Sequence, residues 1–369
     1  MKSTLLYLLA GLAALAAAEP SRWSAPKANA WYARQPWLVG GNYVPATAIN
    51  QIEMWQAATF DPARIDLELG WAQSIGMNTM RVFLHDLVWQ QDPKGYRERI
   101  DRFLAIASKH GIRPMFVLFD SCWDPFPALG PQRAPKPGVH NSGWMQGPGA
   151  KVLMDQTQWP RLAAYVKGVV GAFGKDRRVL AWDIWNEPDN MNGSSYRALE
   201  PAEKVKIIEQ ILPQAFAWAR AARPSQPLTS GLWQHDDWTA DAQLTPVERI
   251  QAGYSDVISF HDYNDAAKFE ARIQALQRYQ RPVLCTEYMA RGNKSTFAGS
   301  LPVAKRHRVA AYNWGLVEGK AQTHLPWDSW KAPYVNGREP AVWFHEVFRR
   351  DGAPYLVGEV ALIKGLTAK

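Results

Sequence analysis

The chain has 369 residues, 42 basic against 34 acidic side chains for a formal charge of +8, two cysteines and 18 tryptophans. The basic residues are scattered rather than gathered into a stripe, which argues against a nucleic-acid partner, and two cysteines are too few for a disulfide scaffold. The length exceeds a typical domain but suits one (β/α)₈ barrel with long loops.

At the start, Lys2 precedes an apolar run from Leu5 to Ala17 that closes on Ala16-Ala17-Ala18. The run is too short to favour a membrane span and reads as a secretory signal peptide, residues 1–18, with an uncleaved anchor as the alternative. The expected product is a single exported domain, residues 19–369, periplasmic or extracellular and free of the membrane.

Short apolar runs then alternate with helical patterns, the rhythm of βα units and a parallel sheet. Strands are expected at Trp37–Val44, Asn78–Leu84, Arg113–Phe119, Leu180–Glu187, Pro227–Trp233, Ser255–Tyr263, Pro282–Tyr288 and Ala310–Val317. Helices are expected at Pro62–Ile75, where Asp61-Pro62 marks the start, at Gly95–His110, Trp159–Phe173, Pro201–Ala222, Val247–Gly253, Ala266–Tyr279 and Ala304–Arg308, with a final one at Ala341–Arg349. The fold class is therefore α/β, a single (β/α)₈ TIM barrel with long loops after strands 3 and 8. The first of these loops, Ser121–Gln158, holds six prolines, five glycines, Trp123 and Trp144. A loop of that length inside a compact domain is functional or disordered, and its tryptophans argue for function.

Two strands end in a carboxylate. Leu180–Asn190 reads LAWDIWNEPDN, so Glu187 terminates an apolar run and Pro188 stops the ladder; Arg281–Arg291 reads RPVLCTEYMAR and ends on Glu287. The two are about 100 residues apart, roughly three βα units, which places both on the C-terminal rim of one barrel. Two carboxylates on one rim are the equipment for glycosidic bond cleavage, one ionised beside a cation, for which Arg81 is available, and one kept protonated in an apolar setting. The alternative for Arg81 is a structural pairing with some other carboxylate. So many tryptophans suggest stacking platforms for sugar rings, although Trp233 and Trp314, at strand ends, could also be core. Cys122 and Cys285 lie on separate, non-neighbouring strands and are expected to be free thiols. No His-Glu-x-x-His, no glycine-rich phosphate loop and no G-x-S-x-G elbow occurs, so neither metal nor other cofactor is expected.

NTMRVF at Asn78–Phe83, WNEP at Trp185–Pro188, HDY at His261–Tyr263 and CTEY at Cys285–Tyr288 together resemble clan A glycoside hydrolases, closest to the cellulase-like family five. The resemblance runs in strand order over nearly the whole mature chain. It implies a retaining double displacement with Glu187 as acid/base and Glu287 as nucleophile. It also implies that Asn186 bonds the sugar 2-hydroxyl, Arg81 orients Glu287, Tyr263 of the His261-x-Tyr263 pair bonds Glu287, and Trp314 is a sugar platform, with Trp327 second. Where family members often carry a histidine after strand 3, this chain has Asp120-Ser121-Cys122-Trp123. The implied partner is a β-linked poly- or oligosaccharide of glucan, mannan or xylan type. A non-catalytic glycan-binding barrel and a transglycosylase are the alternatives; the sequence is silent on oligomeric state.

Overall fold

The computed structural model describes residues 21–235 and 237–368. The expected signal peptide lies outside these residues. Val39–Tyr43 (β1), Thr79–Phe83 (β2), Arg113–Asp120 (β3), Ala181–Asn186 (β4), Leu228–Thr229 (β5), Ile258–His261 (β6), Val283–Tyr288 (β7) and Ala310–Asn313 (β8) form one parallel sheet in the order β5-β4-β3-β2-β1-β8-β7-β6. The two edges meet at Leu232, whose N–H donates to Ser259 (3.0 Å) and whose carbonyl accepts from His261 (2.8 Å). That contact closes the sheet into the expected (β/α)₈ barrel.

The strands are buried on both faces, lumen on one side and helices on the other, so they read as apolar runs rather than alternating patterns. Close packing is tightest at Gly40 in β1: a Cβ there would sit 1.8 Å from the Thr79 carbonyl oxygen of β2, so only glycine fits. A helix ahead of β1, Ala25–Ala33, is capped by Ser24 and packs Trp31 and Tyr32 against Leu38, Met115, Leu180 and Tyr312, sealing the N-terminal end of the barrel. It was not expected from the sequence. No helix among the described residues is long and apolar enough to cross a membrane.

Three expectations need correction. Ala341–Arg349 is not a helix: residues 343–348 are all buried, leaving no polar face, and their backbone bonds to other segments, Phe344 N–H to His324 O (2.7 Å) and Phe348 N–H to Leu316 O (2.9 Å). The last helix is Val357–Thr367 instead. The helix before β8 begins earlier, at Phe297, where Thr296 accepts from the Gly299 N–H as N-cap. The strands β5 and β8 are also shorter than expected, ending at Thr229 and Asn313.

Candidate active site

Arg81, in the middle of β2, is wholly buried and spends its whole guanidinium on β1, β4 and β7, across the barrel lumen. Nη1 donates to Asn42 Oδ1 and to Glu287 Oε1, both at 2.8 Å. Nε and Nη2 donate to Asp183 Oδ2 at 2.9 and 2.8 Å, and Nη2 also to Asn186 Oδ1 at 2.7 Å. Burial alone would weaken its hold on a proton, but Asp183 and Glu287 keep it charged. The two readings of Arg81 are thus both realised: it pairs with Glu287 and with a second carboxylate.

Glu287, on β7, receives that bond on Oε1 and the Tyr263 hydroxyl on Oε2 at 2.8 Å. Glu187 follows β4 with φ of +43°, a left-handed turn that swings its side chain over the barrel mouth before Pro188. Its Oε1 lies 2.8 Å from His261 Nδ1, and its Oε2 accepts from Asn190 Nδ2 (2.7 Å) and from the Cys122 thiol (3.2 Å). One oxygen of each glutamate and His261 Nδ1 lie within 4.8 Å of one another. Two carboxylates and an imidazole at this spacing would also suit a cation, but Arg81 already sets a fixed positive charge against Glu287.

Burial raises both glutamates above the ordinary carboxyl range. Against that burial, Arg81 and the Tyr263 hydroxyl pull Glu287 back and Glu187 raises it again; Glu187 is pulled back by neutral donors, Cys122 and Asn190, then by the more distant Arg81. His261 is itself lowered to about 4, chiefly by burial, so near neutrality it carries no charge.

The departure after β3 builds the floor beside Glu187. Asp120 accepts from Trp144 Nε1 (2.6 Å), Asn186 Nδ2 (2.9 Å) and the Cys122 N–H (3.0 Å), and burial lifts its carboxyl to about 6. Asn186 is therefore oriented from both ends, by Arg81 and by Asp120. Cys122 Sγ sits among Glu187, Asn186 Nδ2 (3.3 Å) and Asn190 Nδ2 (3.4 Å). It and Cys285 are both free and buried, as the sequence suggested.

A cleft of about 420 Å³ opens above the two glutamates, with Asn186, Trp233, Tyr263, Trp314 and Trp327 among its lining residues. Trp314 stands edge-on to Phe83 and Trp144, at 5.9 and 6.1 Å between ring centres. Trp233 donates from Nε1 to Asp189 Oδ1 (2.8 Å) at the outer rim. All eight residues singled out in the sequence thus gather at one mouth, with His261 and Arg81 behind the lining. Sequence reasoning missed Asp183, Asn190 and His345 as members. An acid inside the apolar WDIW was a usable sign for Asp183; nothing local marks His345, which arrives from a segment taken for a helix.

Residues 174–315 match the family model described as the glycosyl hydrolase catalytic core. That span runs from ahead of β4 past β8 and includes Glu187, His261, Tyr263, Glu287 and Trp314. No curated protein matches the chain. Among solved structures, the exo-β-1,4-mannosidase Op5Man5 from Opitutaceae bacterium strain TAV5 is 19% identical with a TM-score of 0.58, covering 89% of this chain and 59% of that one. GH5_18 from Streptomyces cattleya in complex with GlcNAc is 13% identical with a TM-score of 0.60, over 89% and 79% of the two chains. The endo-β-1,4-mannanase from Thermotoga petrophila is 13% identical with a TM-score of 0.55, over 89% and 76%. The chain thus spans 59% of the length of the Op5Man5 structure. These likenesses are of fold.

Proposed function

We propose that the protein is an exported retaining glycoside hydrolase that cleaves β-glycosidic bonds of a poly- or oligosaccharide. The observation that carries this is the glutamate pair: two carboxylates on one rim with oxygens within 4.8 Å, one bonded to a buried arginine and the other to neutral donors. Retaining enzymes hold their carboxyls about 5–5.5 Å apart and inverting ones about 6.5–9.5 Å, because an inverting enzyme must fit a water between sugar and base. The match of residues 174–315 to a glycosyl hydrolase core supports the same reading.

Like charges this close do not both ionise cheaply, so the pair shares one proton. Arg81 and Tyr263 favour the charge on Glu287, which leaves the proton on Glu187; neutral His261 adds no charge that would strip it. Glu287 attacks the anomeric carbon as Glu187 protonates the departing glycosidic oxygen, forming a glycosyl ester on Glu287. Glu187, now a carboxylate, takes a proton from the incoming water, whose oxygen bonds the anomeric carbon and releases Glu287. The developing charge on the sugar ring lies against the cleft's aromatic and carboxylate lining. The charge transfer needs only the side chains described, so no cofactor is invoked.

The test is reducing-sugar release by the purified protein on β-mannans, β-glucans, xylans and aryl β-glycosides, with β-1,4-mannosides first because two of the solved structures similar in fold bear mannosidase and mannanase names. Release that disappears in Glu287→Gln supports the reading. Glycan binding with no release in the native protein overturns it in favour of a binding-only barrel.

A further inference from the structure

Glu187 must stand beside the leaving oxygen and Glu287 beneath the anomeric carbon, so the leaving group lies on the Glu187 side and the sugar being transferred on the Glu287 side. This assignment rests on the glycosidase reading above. The two sides are built differently. Beyond Glu187 the rim is open: Gly193 and Ser194 are exposed and Trp233 is half-buried. Beyond Glu287 and Trp314 the loops that follow β1, β3 and β8 are tied into one wall. Asn50 Nδ2 donates to Gly143 O (2.8 Å), Lys320 Nζ meets Glu53 (2.7 Å), Asn141 N–H donates to Ala321 O (2.8 Å) and Trp330 Nε1 to His140 O (2.8 Å). Trp123 stacks on Trp330 at 5.4 Å and 12°, carrying the wall round to the loop after β4, where its N–H donates to Asn192 (2.6 Å). Every residue from 138 to 150 in that wall is buried.

One side chain of the wall points to a ligand. His345 is wholly buried, and its Nδ1 lies 2.5 Å from the Met289 carbonyl oxygen. A carbonyl only accepts, so Nδ1 carries the hydrogen and Nε2 is a bare acceptor. Nε2 has no partner, and His345 lines the cleft next to Tyr263, with ring centres 5.8 Å apart. A buried acceptor left unpaired is costly unless something that enters the cleft donates to it.

We propose that the cleft is a one-mouthed pocket that admits only the non-reducing terminal sugar of a chain, with His345 Nε2 accepting a bond from one of that sugar's hydroxyls. The enzyme is then exo-acting and removes one sugar at a time, the rest of the chain leaving past Trp233. A polymer threaded through the site has nowhere to put its second sugar.

The test uses β-1,4-linked manno- and gluco-oligosaccharides of four to six sugars with a fluorophore on the reducing end. The expected result is a label that moves down the ladder one sugar at a time, with free monosaccharide as the sole unlabelled product. Early labelled fragments from internal cuts would overturn the pocket while leaving the glycosidase reading intact; no turnover and no binding on any substrate would overturn both. A second arm caps the terminal sugar with a 4,6-O-benzylidene acetal, and cleavage at the uncapped rate would again contradict the wall. A third compares monodeoxy aryl glycosides. Loss of one hydroxyl should lower kcat/KM on the order of tenfold in the native protein, and that penalty should vanish in His345→Phe. If every deoxy penalty persists in the folded variant, the role given to His345 is wrong. Should that variant fail to fold, the acetal arm on the native protein still decides the pocket.

Discussion

Tyr263 and Cys122 separate two glutamates that burial alone would treat alike. The Tyr263 hydroxyl bonds Glu287 at 2.8 Å, and donors to a carboxylate favour its charged form. Tyr263→Phe should therefore move the acidic limb of the kcat/KM profile to higher pH and lower kcat/KM by about tenfold to a hundredfold; an unmoved limb would deny the contact its role. The Cys122 thiol does the same for Glu187 from 3.2 Å. In Cys122→Ala the acid/base should hold its proton to higher pH, so the alkaline limb shifts upward, again read from the pH profile. A downward shift would mean that Glu187 is not the group titrating there. Of these two contacts only the first was legible in the sequence. The resemblance of His261-x-Tyr263 to the family's pair implied it, whereas the thiol reaches Glu187 only because the chain after β3 folds back beside β4. No spacing in Asp120-Ser121-Cys122-Trp123 discloses that.

The strands were readable because each is buried on both faces and so forms a continuous apolar run, and because Pro, Asp and Gly mark where helices begin and end. The segment after β8 was not, because its apolar residues serve a buried, irregular path whose backbone bonds go to distant partners. Glu346 shows the cost of that path. It has φ of +71°, is buried, bonds Thr323 through one oxygen and leaves Oε2 without a partner beside Gly315, where φ is +75°. Burial lifts its carboxyl to about 8, against 4.5 for an unperturbed group. A raised carboxyl favours the folded state most at low pH; the advantage drains away as pH rises from about 4.5, where the unfolded chain ionises, to about 8. Glu346→Gln, which cannot ionise, should therefore gain thermal stability over the native protein between those values, on the order of a few kcal/mol at pH 8. A Tm difference independent of pH would show that Glu346 is already charged in the fold.

For the barrel as a whole, buried neutral histidines set the acid side of stability. His140, His261 and His324 are lowered by burial to about 3, 4 and 4 from 6.5. Their contribution is complete above about pH 6.5 and is lost as pH falls through the folded values, so Tm should decline steeply between about 6.5 and 4. A flat Tm across that window would place these rings in contact with water. Activity should survive exhaustive chelation, since Arg81 rather than an ion supplies the positive charge at Glu287. The barrel brings β4 and β7 to one rim and thereby turns two glutamates about 100 residues apart into a pair. That pairing is tested most directly by trapping: incubation with an activated 2-deoxy-2-fluoro β-glycoside of the preferred sugar, followed by peptide mass spectrometry. A stoichiometric glycosyl adduct on Glu287, absent from Glu287→Gln, is the predicted result. An adduct on another side chain, or none while a good substrate is still turned over, would contradict the double displacement.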